Sequence, residues 1–215
     1  MYKYLRKEDA IKIVDILDKY YNHEEKKHTL LHFSSPLELT IALILAAQST
    51  DKRVNEITPI LFSKYKDEKE LSLAKLTDIE EIIKPVGFYR VKAKYIQNTA
   101  RTLVKYYSDA FPNTMEDLTH LAGIGRKSAN IILQECFGKV EGIAVDTHVT
   151  RISRITGMSN GDNQDKIEKD LTNLLPQKYW SKVNHLLVYH GREICIARRP
   201  NCTLCPINKL CQKNL

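Results

Sequence analysis

Residues 121–130 read Leu-Ala-Gly-Ile-Gly-Arg-Lys-Ser-Ala-Asn and lie between two segments with helical patterns. The glycines Gly123 and Gly125 permit a tight turn that exposes backbone N–H groups. At the start of the following helix, predicted over residues 128–137, such donors suit a phosphate oxygen. An ordinary helix–helix turn uses glycine in the same way, so this spacing alone leaves both interpretations open.

Helical patterns dominate on both sides of the turn. Ser35-Pro36-Leu37-Glu38 is a capping box with proline at the first helical position, and it predicts a helix from Leu37 to Gln48. This helix is apolar on nearly every side, which is typical of the centre of a bundle. Similar boxes at Thr77–Glu80 and Thr114–Asp117 predict two short helices.

The remaining segments extend the same pattern to most of the chain. Further helices are predicted over 54–65 with a kink at Pro59, and over 90–107, 115–121, 147–155, 164–175 and 180–191. The apolar face of the 90–107 helix, which we expect in the core, comprises Tyr95, Ile96, Thr99, Leu103 and Tyr106. Because no segment alternates with a two-residue period, the predicted fold class is all-α.

A second informative segment, residues 142–151, reads Gly-Ile-Ala-Val-Asp-Thr-His-Val-Thr-Arg. Its carboxylate, Asp146, follows a buried apolar run and precedes a predicted helix. Asp146 is therefore predicted to cap that helix. Capping does not prevent the same carboxylate from having a functional role.

Four of the five cysteines fall in the last 21 residues, at Cys195, Cys202, Cys205 and Cys211. This layout suits a metal site better than a disulfide framework and indicates a reducing compartment. Four thiolates bind either zinc or an iron-sulfur cluster, and the spacing alone does not separate the two. Cys136 is expected to be a small buried hydrophobe rather than a ligand.

Composition bounds the class of protein. The chain of 215 residues can bury one substantial core or two small ones. Its net charge of +7 favours a polyanionic partner, although surplus surface lysine that aids solubility gives the same value. The charged first residues lack a secretory signal, and the longest apolar stretch, 39–47, is shorter than the roughly 20 residues that span a bilayer. We therefore expect a soluble, intracellular protein.

Taken together, the string at 121–130, the Ala-Val-Asp-Thr-His run at 144–148 and the cysteine spacing resemble the endonuclease III family of helix-hairpin-helix DNA glycosylase/AP lyases. The resemblance implies that Lys127 is the nucleophile, that Asp146 is its essential partner, and that the four cysteines hold a 4Fe-4S cluster. It also implies DNA contacts by six residues: Gln48, which fills the gap left by the flipped base, Phe88, which enters the stack, and Gly123, Gly125, Arg126 and His148.

The same resemblance implies an architecture and a substrate. Residues 29–139 would form a six-helix barrel domain with the hairpin, and 1–28 with 140–215 the cluster domain, on either side of a DNA cleft. The substrate would be duplex DNA with an oxidised pyrimidine or an abasic site, cut by glycosylase and β-lyase steps in base excision repair. A cytoplasmic monomer without membrane contact is expected, nucleoid-associated if the source is bacterial.

The sequence departs from the family pattern at three places, and three rival functions are to be weighed against the resemblance. Phe88 replaces a common leucine, Ala122 replaces a frequent proline, and one residue is inserted between Gly138 and Gly142. Rivals are a monofunctional mismatch glycosylase, a non-catalytic DNA-binding module and an electron-transfer protein. Lys127 argues against the first, and Lys127 paired with Asp146 argues against the second. The lack of a flavin or nucleotide motif argues against the third.

Overall fold

The computed structural model of the chain describes residues 3–21 and 29–213. This part of the chain contains eleven α-helices, a 3-10 turn and one short antiparallel strand pair, so the predicted all-α fold is confirmed. Contacts divide the chain into two compact units, Met1–His28 with Val140–Leu215, and Thr29–Lys139. None of the helices in the described ranges is long and apolar enough to cross a membrane.

The Thr29–Lys139 unit packs its helices around α2. Seven of the residues of α2 are buried, among them Leu39, Ile41 and Leu45 at 0 % exposure, which confirms the predicted central apolar helix. The side chain of Ser35 caps α2 by accepting a hydrogen bond of 3.2 Å from the N–H of Glu38. The helices of this unit are α2 (Pro36–Ala46), α3 (Asp51–Lys64), α4 (Glu68–Leu73), α5 (Leu76–Ile83), α6 (Tyr89–Tyr106), α7 (Met115–Thr119) and α8 (Arg126–Phe137).

The other unit has its own apolar core, built from both ends of the chain. Ile13 and Leu17 from the N-terminal helix are fully buried in it with Val149 and Ile152. Its helices are α1 (Lys7–Tyr21), α9 (Thr147–Thr156), α10 (Gln164–Leu174) and α11 (Trp180–Glu193), with the 3-10 turn Gln177–Tyr179 before α11. The strand pair, β1 (Cys195–Ile196) and β2 (Arg199–Pro200), lies at the first cysteine of the C-terminal group and ends before the second.

Three sequence predictions about the helices were wrong in detail. The capping box at Thr77 is not used, because α5 begins at Leu76 with Lys75 at its N-cap and no side-chain cap. Helix α8 begins at Arg126, two residues before the predicted start, so Lys127 lies within its first turn. Helix α2 ends at Ala46, which leaves Gln48 in the following turn.

Two tyrosines predicted for the core of α6 are exposed. Ile96 and Leu103 are buried as expected, whereas Tyr95 is 41 % and Tyr106 65 % exposed. Tyr95 precedes Ile96 by one residue, and each residue of an α-helix turns the side chain by about 100°, which takes Tyr95 to the edge of the apolar stripe. Tyr106 is the last residue of the helix, where the amine of Lys105 lies 4.6 Å from its ring centroid.

Candidate active site and cysteine pocket

The glycine turn before α8 is held against α6. Gly123 has φ +81°, a left-handed conformation that glycine adopts without steric cost. A Cβ placed on Gly123 would lie 2.8 Å from Cδ2 of Tyr95, so the backbone approaches this ring closely. The hydroxyl of Thr99 donates a hydrogen bond of 3.0 Å to the carbonyl of Ala122. Tyr95 thus packs against the glycine turn and not in the core, where the sequence had placed it.

Lys127 lies at the open N-terminal end of α8. Gly125 is the N-cap with φ −96° and has no side chain to cap the helix, and a Cβ added there would meet no atom within 4 Å. Arg126 and Lys127 follow it and are both exposed. The first N–H groups of a helix lack intrahelical acceptors, so this end offers donors and a primary amine on the same short stretch of backbone.

Asp146 caps α9, as the sequence predicted. Its Oδ1 accepts hydrogen bonds of 2.8 Å from the N–H groups of both His148 and Val149. The residue is half-buried, and the two capping bonds go to the same oxygen of its carboxylate. Lys127 belongs to the Thr29–Lys139 unit and Asp146 to the other, so each is placed by its own surroundings.

Gln48 and Phe88, the two predicted gap-filling residues, have the same unusual backbone conformation. Their φ values are +55° and +58°, in the left-handed region that non-glycine residues rarely adopt. Both are exposed, Phe88 to 66 %. Their loops meet, because a Cβ placed on Gly87 would lie 3.6 Å from the carbonyl oxygen of Gln48. Gln48 and Phe88 therefore lie on loops that contact each other.

His148 packs inside its own unit. A Cβ on Gly191 of α11 would lie 2.6 Å from Nδ1 of His148 and 3.0 Å from Nη2 of Arg151. The absence of a side chain at Gly191 therefore lets α11 lie close to α9. The predicted DNA contact by His148 stays a prediction, while its packing role is a finding.

The four C-terminal cysteines line one pocket. Ile152, Ile155 and His190 are among its other lining residues. Every cysteine of the chain is a free thiol. No group of three or more His, Cys, Asp and Glu side chains arranged to hold a metal ion occurs among residues 3–21 and 29–213.

Burial and two basic side chains shape the chemistry of this pocket. Burial raises the pKa values of the Cys195, Cys205 and Cys211 thiols. Arg151 donates a hydrogen bond of 2.5 Å to the carbonyl of Cys195 and lies 3.6 Å from its Sγ. Burial, with the charge of Arg151, lowers the pKa of His190 to about 4, and Nε2 of this neutral ring lies 3.6 Å from Sγ of Cys205.

The fifth cysteine, Cys136, is not among the residues that line the pocket and packs against the core of its own unit, as the sequence predicted. Cys136 is half-buried on α8 in the other unit, and burial, followed by the charge of Glu135, raises its pKa to about 11. A thiol with this pKa is inert at neutral pH. The four basic residues near the cysteines are all exposed: Arg198, Arg199, Lys209 and Lys213.

Comparison with known proteins decides the family. Residues 41–177 match the profile of the HhH-GPD superfamily base excision DNA repair proteins. Over 96 % of its length the chain is 40 % identical to endonuclease III of Synechocystis sp., covering 93 % of that protein. The chain belongs to the endonuclease III family. The predicted class, a base excision repair enzyme of the DNA glycosylase/lyase type, is thereby confirmed.

Other members of the endonuclease III family match to a similar extent. Endonuclease III of Bacillus subtilis is 38 % identical over 93 % of this chain and 90 % of its own length. A solved structure of a trapped endonuclease III–DNA covalent intermediate superposes with a TM-score of 0.89 at 35 % identity, covering 98 % of this chain and 97 % of that one. The correspondence spans both units of the fold.

Two features near the site were missed from the sequence. Lys92 is only 4 % exposed and contacts the loop of Gln48, and its place four residues before Ile96 on the apolar stripe was the available signal. The hydroxyl of Tyr21 lies 3.2 Å from Nδ1 of His190, a contact between residues 169 positions apart that no local pattern indicates.

Proposed function

We propose that the chain is a bifunctional DNA glycosylase/AP lyase that excises oxidised pyrimidines from duplex DNA through a Schiff base on Lys127. The observation that carries the proposal is the position of this amine. Lys127 is exposed in the first turn of α8, directly after a glycine turn whose open backbone donors suit a phosphate. A module that only bound DNA would not need this lysine paired with a carboxylate such as Asp146.

The chemistry follows from the reactivity of a primary amine. The nitrogen lone pair of deprotonated Lys127 attacks C1′ of the sugar, and the bond from C1′ to the base breaks. The base leaves with that electron pair and takes up a proton. The nitrogen then loses a proton, and its lone pair forms the C1′=N bond of a Schiff base as the C1′–O4′ bond breaks and O4′ takes up a proton. Loss of a proton from C2′ drives cleavage of the C3′–O bond, which releases the 3′ phosphate and cuts the strand.

Asp146 is the group that we propose to take the proton from the Lys127 ammonium. Its Oδ1 is engaged by two backbone N–H groups, which fix the orientation of the carboxylate. The negative charge also offsets the positive charge that builds on the sugar as the base departs. Capping and catalysis are compatible, since Oδ1 serves the helix and Oδ2 can serve the reaction.

Base removal from a duplex requires that the nucleotide be flipped out and the gap filled. Gln48 and Phe88 are the residues that we propose for this task, because both are exposed on neighbouring loops. Gly123, Gly125 and Arg126 would bind the backbone, and His148 would add a contact from the other unit. The net charge of +7 would add sequence-independent, salt-dependent affinity.

A 4Fe-4S cluster is the cofactor that we propose for the cysteine pocket. Four free thiols on one pocket match the four cysteine ligands of such a cluster. When bound, the cluster would cross-link the C-terminal segment and support docking of DNA by the exposed arginines and lysines beside it. The 29–139 unit would then be the six-helix barrel domain, and the unit of both termini the cluster domain, of a protein that acts as a monomer.

Borohydride trapping tests the proposal. The protein is incubated with a duplex that contains one thymine glycol, the mixture is reduced, and covalent protein–DNA complexes are separated by denaturing electrophoresis. We expect a trapped complex with the wild type and with Lys94→Ala, a control for exposed lysine, and none with Lys127→Ala. If the protein binds the duplex but nothing is trapped on thymine glycol or abasic DNA, the lyase assignment is wrong.

A further inference from the structure

We propose that Lys92 is a positioning residue that holds the loop of Gln48 against the loop of Phe88, so that both can enter the DNA stack together. The inference rests on the proposed function, since it concerns how the gap-filling residues are held. Lys92 itself lies too deep to touch DNA, with 4 % of its surface exposed.

The side chain of Lys92 forms hydrogen bonds with one residue before Gln48 and one after it. Its Nζ donates a hydrogen bond of 2.8 Å to the carbonyl of Leu45, three residues before Gln48. A second bond of 3.1 Å goes to the hydroxyl of Ser49, directly after Gln48. The carbonyls in the last turn of a helix lack intrahelical partners, so the ammonium group also stabilises the C-terminal end of α2.

The same residue is tied to the Phe88 loop through its backbone. The N–H of Lys92 donates the ordinary first-turn helical bond, 3.1 Å long, to the carbonyl of Phe88, the N-cap of α6, so the lysine is anchored directly after this loop. Gly87, the residue before Phe88, lies close to the carbonyl of Gln48. One residue therefore bonds to both loops at the point where they meet.

Both loops need such support because both have an unfavourable backbone conformation. A left-handed conformation is sterically unfavourable at a non-glycine residue and persists only where the surroundings enforce it. Gln48 and Phe88 each adopt it. Without the two hydrogen bonds of the Lys92 amine, the Gln48 turn can relax and its side chain loses the geometry for insertion.

Burial adds a second argument for a specific role. Desolvation lowers the pKa of Lys92, which means that the folded protein holds this ammonium at a cost. A hydrophobic side chain of equal length would fill the space without that penalty. The value of the lysine therefore lies in the hydrogen bonds that it donates to the loop.

The test measures gap filling by fluorescence. A duplex carries a non-cleavable abasic analogue with 2-aminopurine as its neighbour, and insertion of Gln48 and Phe88 unstacks the probe and raises its emission. Lys92→Met is compared with Lys94→Met, which makes the same change on the exposed face of α6. Excision of thymine glycol under single-turnover conditions and affinity for undamaged duplex are measured in parallel.

We expect Lys94→Met to match the wild type in every assay. In Lys92→Met the fluorescence rise should shrink and excision should slow on the order of tenfold, the scale of a small misplacement of a working group. Affinity for undamaged duplex should stay unchanged, because Lys92 contacts no DNA. A merely structural loss would lower all three values together.

Ser49→Ala keeps the test valid if Lys92→Met folds poorly, since it removes one acceptor of the amine and leaves the charge in place. A partial loss of the fluorescence rise is expected. If the folded Lys92→Met or Ser49→Ala proteins respond like the wild type, the inference is overturned and the proposed function stands. If the wild type gives neither fluorescence rise nor trapped complex, the proposed function falls and the inference falls with it.

Discussion

The backbone of Gly123 lies against the ring of Tyr95, and a Cβ at Gly123 would come within 2.8 Å of the ring carbon Cδ2. The contact joins the turn before α8 to the side of α6. Since Thr99 also bonds to the neighbouring carbonyl, the turn that precedes Lys127 is fixed by one helix of its own unit. The position of the proposed nucleophile therefore depends on packing that begins about thirty residues earlier in the chain.

The two glycines of the turn should respond differently to alanine. Gly123→Ala adds both the contact with Tyr95 and a left-handed alanine, so we expect a loss of about 2 kcal/mol in the free energy of unfolding. Gly125→Ala meets no atom and has a negative φ, so stability should not fall. DNA affinity should fall in both if phosphate approaches this backbone. Urea denaturation and DNA titration measure the pair, and equal stability of the two variants would contradict the packing argument.

A pH-dependent contribution to stability is expected at the start of α7. Hydrogen bonds from the hydroxyls of Thr114 (2.7 Å) and Tyr107 (2.8 Å) lower the pKa of Asp117, and the bond from Thr114 has the larger effect. The folded protein therefore binds this proton less readily than the unfolded chain, and stability is lost as the pH falls through the lowered pKa. Asp117→Asn should cost about 1 kcal/mol at neutral pH and much less in acid.

Denaturation at pH 7 and at about pH 3 measures this difference, with hydrogen exchange of the α7 amides read alongside. Glu116→Gln, on the exposed side of the same turn, is the matched control and should change little at either pH. A loss for Asp117→Asn that stays constant down to the lower pH would show that the carboxylate charge is not its source.

Local signals predicted most helix ends, whereas contacts across the chain decided what the sequence missed. Ser35, Thr114 and Asp146 cap their helices as expected, because a cap depends only on residues two or three positions away. The left-handed Gln48 and the burial of Lys92 were not predicted. The burial of Lys92 had a local signal in its place on the apolar stripe of α6. Its hydrogen bond to Leu45, 47 positions away in sequence, had none, because no local pattern encodes that contact.

The cysteine pocket gives a test of the cofactor. Cys205→Ala removes one of the four thiols that line the pocket, and we expect the purified variant to lose its visible absorption and most of its iron. Cys136→Ala is the matched control, because this thiol lies on α8 in the other unit and should leave both values unchanged. Iron and sulfide analysis gives the result. Retention of iron by Cys205→Ala would contradict the assignment of this ligand.

Replacing Phe88 with glycine should raise the stability of the protein and lower its excision activity. As the N-cap of α6 it has φ +58° and ψ +31° and makes no side-chain capping bond, while its ring is 66 % exposed. Glycine adopts this conformation freely, so Phe88→Gly should raise the free energy of unfolding by about 1 kcal/mol and lose the ring that we propose enters the stack. Phe88→Leu keeps both the strain and an apolar wedge, so it should match the wild type in stability and still excise thymine glycol. Denaturation midpoints and single-turnover excision separate the two effects. If Phe88→Gly is more stable and excises at the wild-type rate, the strained conformation is unconnected with insertion and Phe88 is not the wedge.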